Sequence, residues 1–240
     1  MSGILAGGPV IPNFGTGSHC VTHNDLFCAD WVRDNWHGVL EPALVQHIEL
    51  SAKAVAIGFA IAFVAAVAAR RARLVETPFR LFSAFVYTIP SLALFQLLIP
   101  ITGLTDTTVE IALVGYTLLI LFRNILAGLR SVPEDVLESA RGMGLTATQI
   151  LWRIELPLAL PSIVAGVRIA TVSTISLATI AAFVRPIGLG YPIFIAIGDD
   201  IFKTELIAAG VLAVALALVS DVVLVLVQRL LTPWVRARAA

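Results

Sequence analysis

Charged residues are scarce in this sequence, and their scarcity excludes most soluble folds. Only 13% of the 240 residues are Asp, Glu, Lys or Arg, whereas soluble domains carry roughly 25%. Hydrophobic residues make up 58% of the chain, and the length leaves no room for a second domain. The formal net charge is zero, so nothing points to a nucleic-acid partner. We therefore predict an all-α integral membrane protein in contact with lipid.

Groups that carry out chemistry are scarce as well. The two lysines, Lys53 and Lys203, do not follow a glycine as the phosphate-binding loop G-x-x-x-x-G-K-[ST] requires. If ATP powers this protein, another chain must bind the ATP and its Mg²⁺. No Ser/His/Asp order, carboxylate pair or metal-ligand cluster occurs among the apolar stretches. We therefore expect no enzyme activity, no cofactor in this chain and no metal site in its membrane part.

Cysteine is nearly absent, and the two that occur lie close together. Cys20 and Cys28 belong to a polar segment that also holds His19 and His23. Three interpretations stay open: free thiols, a Cys/His metal site, or a disulfide, which an extracytoplasmic location would permit.

The N-terminal segment, residues 1–40, is expected to lie outside the cytoplasm. Residues 1–18 lack a basic start and a sustained apolar core, so they do not predict a signal peptide. Trp31 and Trp36 suit a helix at the level of the lipid headgroups. They could equally cap the first membrane span.

Five apolar stretches fill the rest of the chain, each near the ~20 residues that a helix needs to cross hydrocarbon. Arginines lie at one end of the stretches, as at Arg70 and Arg130, and acidic residues at the other, as at Asp106 and Asp199. The positive-inside rule then predicts an outside N-terminus and a cytoplasmic tail at residues 232–240. Within the domain at 41–231, the predicted spans are residues 43–69, 79–101, 109–129, 158–184 and 206–231.

The longest amphipathic interruption is residues 138–157, with the sequence ESARGMGLTATQILWRIELP. Gly144 permits a bend that a residue with a Cβ would resist. Pro157 lacks an N–H group, so we expect a new helix to start there. The pattern predicts two short helices outside the bilayer that meet at a Gly-Met-Gly elbow.

This segment resembles the EAA loop of ABC-importer permeases. The loop reads Glu-Ala-Ala, three residues, Gly, nine residues, Ile-x-Leu-Pro, and every spacing matches, with Ser139 in place of one alanine. The resemblance implies a cytoplasmic coupling element that docks onto an ATPase subunit. The implied coupling residues are Glu138, Ser139, Ala140, Gly142, Gly144, Leu145, Ile154, Leu156 and Pro157.

A proline interrupts the second apolar stretch. Pro90 removes a helical hydrogen bond, and Thr88 and Ser91 can satisfy the backbone groups that are freed. Broken helices at membrane depth often line a transport pathway, although a tolerated kink would give the same pattern. Tyr87, Thr88, Pro90 and Ser91 are therefore candidate pathway residues, yet no aromatic cage for quaternary ammonium can be assigned.

Asp221 lies two to three turns inside the last apolar stretch. A charge at such a depth is costly and is often functional. Asp221 is expected to pair with Arg168 or, as a candidate pathway residue, to face a polar cavity.

Further runs are similar to the permeases of osmoprotectant importers. They are H-I-E-L-S at 47–51, T-I-P-S-L-A-L at 88–94, the run at 128–144, and A-F-V-R-P-I-G-L-G at 182–190. The resemblance implies the five-helix, MetI-like core of type I ABC importers in a bacterial inner membrane. It also implies two ATPase subunits, a second permease of the same or a sister chain, and an extracytoplasmic binding protein. The implied cargo is glycine betaine, choline, carnitine or proline betaine.

Other functions remain open at this point. A permease for another small zwitterion or an amino acid would carry the same motifs. A secondary transporter or channel would require no ATPase, but it predicts inverted repeats and charged relays, and no clear repeat is detected. A scaffold protein would leave the broken second stretch without a purpose.

Overall fold

Helices form along the apolar stretches, because within a membrane every backbone N–H and C=O group must find a partner inside its own segment. The computed structural model of this protein describes residues 19–198 and 201–233, and every regular element in these two ranges is helical. In chain order the α-helices are α1 (His19–Thr22), α2 (Ala29–Asp34), α3 (Glu41–Ala69), α4 (Arg73–Thr88), α5 (Ser91–Thr102), α6 (Asp106–Arg130), α7 (Glu134–Gly142), α8 (Ala147–Ile150), α9 (Leu156–Ile180), α10 (Gly190–Gly198) and α11 (Lys203–Leu231).

Four helical segments are long and apolar enough to cross a membrane. They are Trp36–Ala69, Asp106–Arg130, Ala147–Phe183 and Lys203–Leu231. Helices α4 and α5 pass the same test only as a pair, and they are bent by 104° at the break between them. With the bent pair taken as one crossing, the predicted five-span all-α architecture is confirmed.

Helix α6 lies at the centre of the bundle. In an apolar 18-residue stretch of α6, 67% of the residues are buried, whereas in the corresponding stretch of α11 only 6% are buried. Towards its C-terminal end, α6 contributes Phe122 to a cluster that includes Ile163 of α9. Towards its N-terminal end, it contributes Leu113 to a cluster that includes Phe95 of α5. Helix α11 is therefore peripheral and leaves most of its apolar surface uncovered.

Small residues allow α3 to approach α6 closely. Ala54, Gly58, Ala62 and Ala66 are buried and recur every four residues, so they share one helix face. A Cβ at Gly58 would overlap the hydroxyl of Thr117 on α6. Small residues at such crossings let backbones pack against each other, which is the main attraction between helices in lipid.

The N-terminal segment is closed by a disulfide between Cys20 and Cys28. Of the three interpretations left open by the sequence, the structure contains the disulfide, so these thiols are not available to a metal. Within the loop, the Asn24 amide donates to the Ile201 carbonyl at 3.0 Å and accepts from the Lys203 N–H at 2.9 Å. The disulfide loop is thereby fixed to the turn that precedes α11.

The tryptophans of this segment also contact the start of α11. Trp31 lies edge-to-face against Phe202, with ring centroids 5.2 Å apart. Trp31 and Trp36 both pack against the cluster formed by Leu40 and Ala208. The segment is thus held against α11 as well as against the first span.

Candidate functional site

The break in the second span lies at Ile89 and Pro90. Both residues are extended (ψ of 128° and 137°), so α4 ends at Thr88 and α5 begins at Ser91. The hydroxyl of Tyr116 on α6 donates to the Ile89 carbonyl. The break predicted from Pro90 is confirmed. As expected, Thr88 donates its hydroxyl to a backbone carbonyl, that of Phe85, at 2.7 Å. The Ile89 carbonyl, however, is satisfied by a tyrosine from another helix rather than by Ser91.

A cavity of about 560 Å³ opens beside this break, between α4, α5, α6 and α9. Eight of its fourteen lining residues carry a hydroxyl group, and none of these fourteen described residues carries a charge. The wall is therefore uncharged, with hydroxyl groups set among apolar surface, which suits a small solute that has polar and apolar parts and needs no counter-ion. The hydroxyl-bearing residues are Tyr87, Thr88, Ser91, Tyr116, Thr117, Ser173, Thr174 and Ser176.

The candidate pathway residues divide into two groups in the structure. Tyr87, Thr88, Pro90 and Ser91 all line the cavity. Asp221 does not line it and lies in a neighbouring groove between α9 and α11. The two spaces share Val172 and Ser173 as lining residues, so they are adjacent along α9.

Asp221 forms the expected ion pair with Arg168. The Arg168 Nε and Nη2 atoms each lie 2.9 Å from an Asp221 carboxylate oxygen, which is a bidentate geometry. The side chains are 30% and 36% exposed. The pairing neutralises two charges that would be costly within the membrane and joins α9 to α11.

Residues 138–157, for which the resemblance implies coupling and which we call the coupling segment, turn at Gly144, which has a φ of +80°. The Gly144 N–H donates to the Arg141 carbonyl at 2.9 Å, and the Leu145 N–H donates to the Ala140 carbonyl at 3.2 Å. These two bonds form a Schellman motif, the helix end that requires a left-handed residue at this position. Gly142 is still helical, so only Gly144 acts as the predicted elbow.

The predicted coupling residues have different exposures. Ala140 is completely buried, in a small cluster with Leu137 and Ile150 against which Leu145 and Ile154 pack. Its methyl group is therefore not available to a partner and instead supports the segment. The exposed members are Glu138, Ser139, Gly142 and Gly144, while Leu156 is buried and Pro157 half-buried.

The second of the two predicted short helices begins directly after the elbow, at a capping box. Thr146 and Gln149 form a capping box, with the Thr146 N–H donating to Gln149 Oε1 at 2.7 Å, and this starts α8 at Ala147. Helix α9 begins at Leu156 with Pro157 in its first turn, close to the predicted start, but it follows α8 and a π-helical turn without a gap, so Ala147–Phe183 is one helical segment. A π-helical turn at Leu151–Glu155 precedes the proline and accommodates its missing N–H group.

Two ion pairs lie at the end of the bundle that carries the coupling segment, and the first of them joins this segment to α3. Glu155 of the π-helical turn pairs with Arg70 at the end of α3, and both side chains are about nine-tenths buried. Burial lowers the pKa of the Arg70 guanidinium from its ordinary value, and the nearby Arg71 charge lowers it further. At the same end, the Arg130 guanidinium contacts both carboxylate oxygens of Glu76, at 3.1 and 2.7 Å.

Several residues of the site were missed by sequence reasoning. Tyr116 and Thr117 lie on α6, far from Pro90 in sequence, and no local pattern distinguishes them from core residues. Glu155 lies inside the coupling motif, but only the structure brings it to Arg70. Met143 could have been noticed from the sequence, because it stands between the two glycines of the elbow, and in the structure the residue is 71% exposed.

The described part of the chain holds no group of three or more His, Cys, Asp or Glu side chains that could bind a metal ion. His47, which is completely buried, is engaged on both ring nitrogens. Its Nε2 atom lies 3.0 Å from the Ile175 carbonyl, and its Nδ1 atom accepts from the Leu189 N–H at 3.2 Å. This histidine therefore serves as a packing element that joins α3 to α9 and to the turn before α10.

Residues 57–237 match the model of a protein family described as "Binding-protein-dependent transport system inner membrane component". The matched range includes the α4–α5 break, the coupling segment and α11. It does not include the disulfide loop.

Curated relatives match over most of their length. The chain is 35% identical over 189 residues to the glycine betaine/carnitine/choline transport system permease protein OpuCB of Bacillus subtilis (strain 168), covering 78% of this chain and 86% of the relative. It is 36% identical over 202 residues to the osmoprotectant import permease protein OsmW of Salmonella typhimurium (strain LT2), covering 82% and 93%.

The fold is similar to that of a solved transporter. A chain of the MetNI methionine ABC transporter, in an inward-facing conformation, matches with a TM-score of 0.71 at 21% identity. The match covers 83% of this chain and 99% of that chain. The similarity agrees with the expected MetI-like core.

Proposed function

This chain belongs to the family of binding-protein-dependent transport system inner membrane components, and from that membership we propose that it is the permease subunit of an ATP-driven importer of osmoprotectants. The proposed cargo is a small quaternary ammonium compound such as glycine betaine, choline, carnitine or proline betaine. In this role the permease passes cargo from an extracytoplasmic binding protein to the cytoplasm.

Family membership also bears on the other predictions made from the sequence. The chain is a multi-pass protein of the inner membrane, and it is a non-catalytic component of a transport system. Its family therefore agrees with the predictions that it is not an enzyme and holds no cofactor of its own.

The neutral cavity at the α4–α5 break is the observation that carries the proposed cargo. A zwitterion such as glycine betaine has no net charge, and choline carries only the diffuse charge of its quaternary ammonium group, so an uncharged wall with hydroxyl groups can replace much of the hydration of either without a counter-ion. The relatives from Bacillus and Salmonella are named for cargo of this kind. An amino acid or another small zwitterion is the alternative, since it has the same net charge.

The exposed face of α7 is the proposed contact with the ATPase, which binds the ATP and Mg²⁺. Glu138 and Ser139 are exposed on it, and Met143 projects at its end. The small cluster beneath α7 and the buried Arg70–Glu155 pair support this face. A displacement of the coupling segment by the ATPase is thereby transmitted to α3 and α9. Because α9 lines the cavity, the displacement reaches the proposed pathway.

The proposed assembly contains two ATPase subunits and two permeases, the second permease being the same or a sister chain. Most of α11 has no cover within this chain, which leaves apolar surface for lipid and for a second permease. A secondary transporter remains the competing function, and it would move cargo without an ATPase.

Reconstitution tests this proposal. The permease, its ATPase and its binding protein are incorporated into liposomes, and uptake of labelled glycine betaine, choline and an amino acid is measured with and without ATP. We expect uptake of the first two only, and only with ATP. Uptake without ATP would favour a secondary transporter, and uptake of the amino acid alone would exclude the proposed cargo.

A further inference from the structure

Two tyrosines meet in the wall of the cavity. The ring centroids of Tyr87 and Tyr116 are 6.0 Å apart, and the ring planes are inclined at 70°. Tyr116 is 6% exposed and its hydroxyl is held by the Ile89 carbonyl, whereas Tyr87 is 44% exposed. An edge-to-face pair leaves ring faces free that a stacked pair would cover. The pair therefore offers aromatic surface to the cavity on a support fixed by α6.

The chemistry of the wall selects among cations. A primary ammonium group has three N–H donors and a guanidinium has five, and either is best held by a carboxylate. None of the described lining residues is Asp or Glu. A quaternary ammonium group has no N–H donors and spreads its charge over methyl groups. Ring faces attract such a cation, and neutral hydroxyl oxygens can contact it.

We propose that Tyr87 and Tyr116 form a weak site for the quaternary ammonium group of the cargo while it crosses the membrane. The site rests on the proposed function, because the cargo must pass this cavity. Tyr87 supplies the accessible ring, and Tyr116 positions it. Weak binding suits a pathway, since the cargo must leave the site as readily as it enters.

Thiol protection measures occupancy of this site directly. Both cysteines of the chain are joined in the disulfide, so a Ser91→Cys variant has its only free thiol in the cavity wall. The full-length variant, assembled with its ATPase in lipid nanodiscs, is treated with N-ethylmaleimide. The reaction rate is compared without additive, with choline, and with 3,3-dimethylbutan-1-ol, a neutral isostere in which carbon replaces nitrogen.

We expect choline at saturating concentration to slow the modification several-fold and the neutral isostere to leave it unchanged. Adding Tyr87→Leu should weaken the protection, so that more choline is needed for the same effect, whereas Tyr87→Phe should keep it because the ring face remains. Phe85→Leu is the matched control, since Phe85 is on the same helix and 68% exposed but does not line the cavity. It should leave protection intact. From the usual strength of cation–π contacts, Tyr87→Leu should raise the choline concentration for half-protection about 3- to 10-fold or more.

Equal protection by choline and its isostere would overturn the site, and so would an unchanged half-protection concentration of choline in the Tyr87→Leu variant. If Tyr87→Leu does not assemble, the comparison of choline with its isostere in the Ser91→Cys protein still tests the site. The uptake assay separates this inference from the proposed function. Uptake of osmoprotectants without ring-dependent protection would refute the tyrosine site but not the proposed function. Ring-dependent protection without such uptake would support the site and refute the proposed function.

Discussion

Glu155 is a buried carboxylate at the point where the coupling segment meets the membrane core. Its partner, Arg70, is equally buried at the end of α3. A buried ion pair contributes little net stability compared with apolar residues, but removing one partner leaves an uncompensated charge. The pair therefore ties the coupling segment to α3 in one arrangement.

Glu155→Ala is predicted to lower the free energy of unfolding by about 3–5 kcal/mol, because Arg70 stays buried without its partner. Glu134→Ala is the matched control. Glu134 pairs with Arg141 on the surface, with side chains 65% and 57% exposed, and its loss should cost about 1 kcal/mol or less. Thermal unfolding of the two variants in nanodiscs measures the difference. Equal shifts would mean that Glu155 is not buried in the assembled protein.

Gly144→Val is predicted to reduce coupling without reducing the amount of protein in the membrane. A β-branched residue at φ of +80° costs about 1–3 kcal/mol, and in a homodimer the cost falls on both coupling segments. The added Cβ itself meets nothing within 4 Å, so the effect is conformational. Substrate-stimulated ATP hydrolysis in liposomes should fall together with uptake.

Gly142→Ala is the control for this change, since Gly142 is helical and a Cβ there also meets nothing within 4 Å. This control should retain coupling. If Gly144→Val also retained it, the elbow would not be part of the transmission element.

At the scale of elements, the α4–α5 break converts one span into two short helices that meet beside α6. The break makes room for the cavity because α5 leaves the direction of α4 by 104°. Backbone groups at the break would be unsatisfied in lipid, but here they border a polar space and Tyr116.

Ser91→Trp is predicted to block uptake by filling the cavity, while ATPase binding stays normal. Leu92→Trp is the matched control, because Leu92 is the next residue and 43% exposed but does not line the cavity. Uptake in liposomes and co-purification of the ATPase measure the two effects. Normal uptake by Ser91→Trp would place the pathway elsewhere.

Elements were easier to predict from the sequence than the contacts between them. The five crossings follow from hydropathy, the break follows from Pro90, and the elbow follows from Gly144, because each signal is local. The two short helices on either side of the elbow were predicted as well, but the continuity from Ala147 through Pro157 was not, because a π-helical turn joins the second short helix to α9. Pairs such as Tyr116 with Ile89 join residues distant in sequence, and only the packing of α6 brings them together.

At the scale of the whole molecule, the two ends of the bundle differ in charge. One end carries the Arg70–Glu155 and Arg130–Glu76 pairs and the coupling segment. The other carries the disulfide loop and the Arg185–Asp106 pair. The greater number of arginines at the first end predicts that it is cytoplasmic. A disulfide persists outside the cytoplasm, which supports the same orientation.

Cysteine labelling tests this orientation. Arg33→Cys should react with a membrane-impermeant maleimide in intact spheroplasts, because Arg33 is 79% exposed beside the disulfide loop. Glu138→Cys should react only after the membrane is made permeable. Reaction of both variants in intact spheroplasts would contradict an outside N-terminus with a cytoplasmic coupling segment.

The neutral wall of the cavity has an electrical consequence for the proposed cargo. Since its described lining residues carry no charge, the charge moved in each transport cycle is that of the cargo alone. Glycine betaine carries no net charge, so the membrane potential does no work on it. Choline carries one positive charge, and an interior-negative potential favours its entry by about 2.3 kcal/mol per 100 mV. Collapsing the membrane potential while ATP is kept constant should therefore lower the accumulation of choline and leave that of glycine betaine unchanged, even though the same pathway serves both.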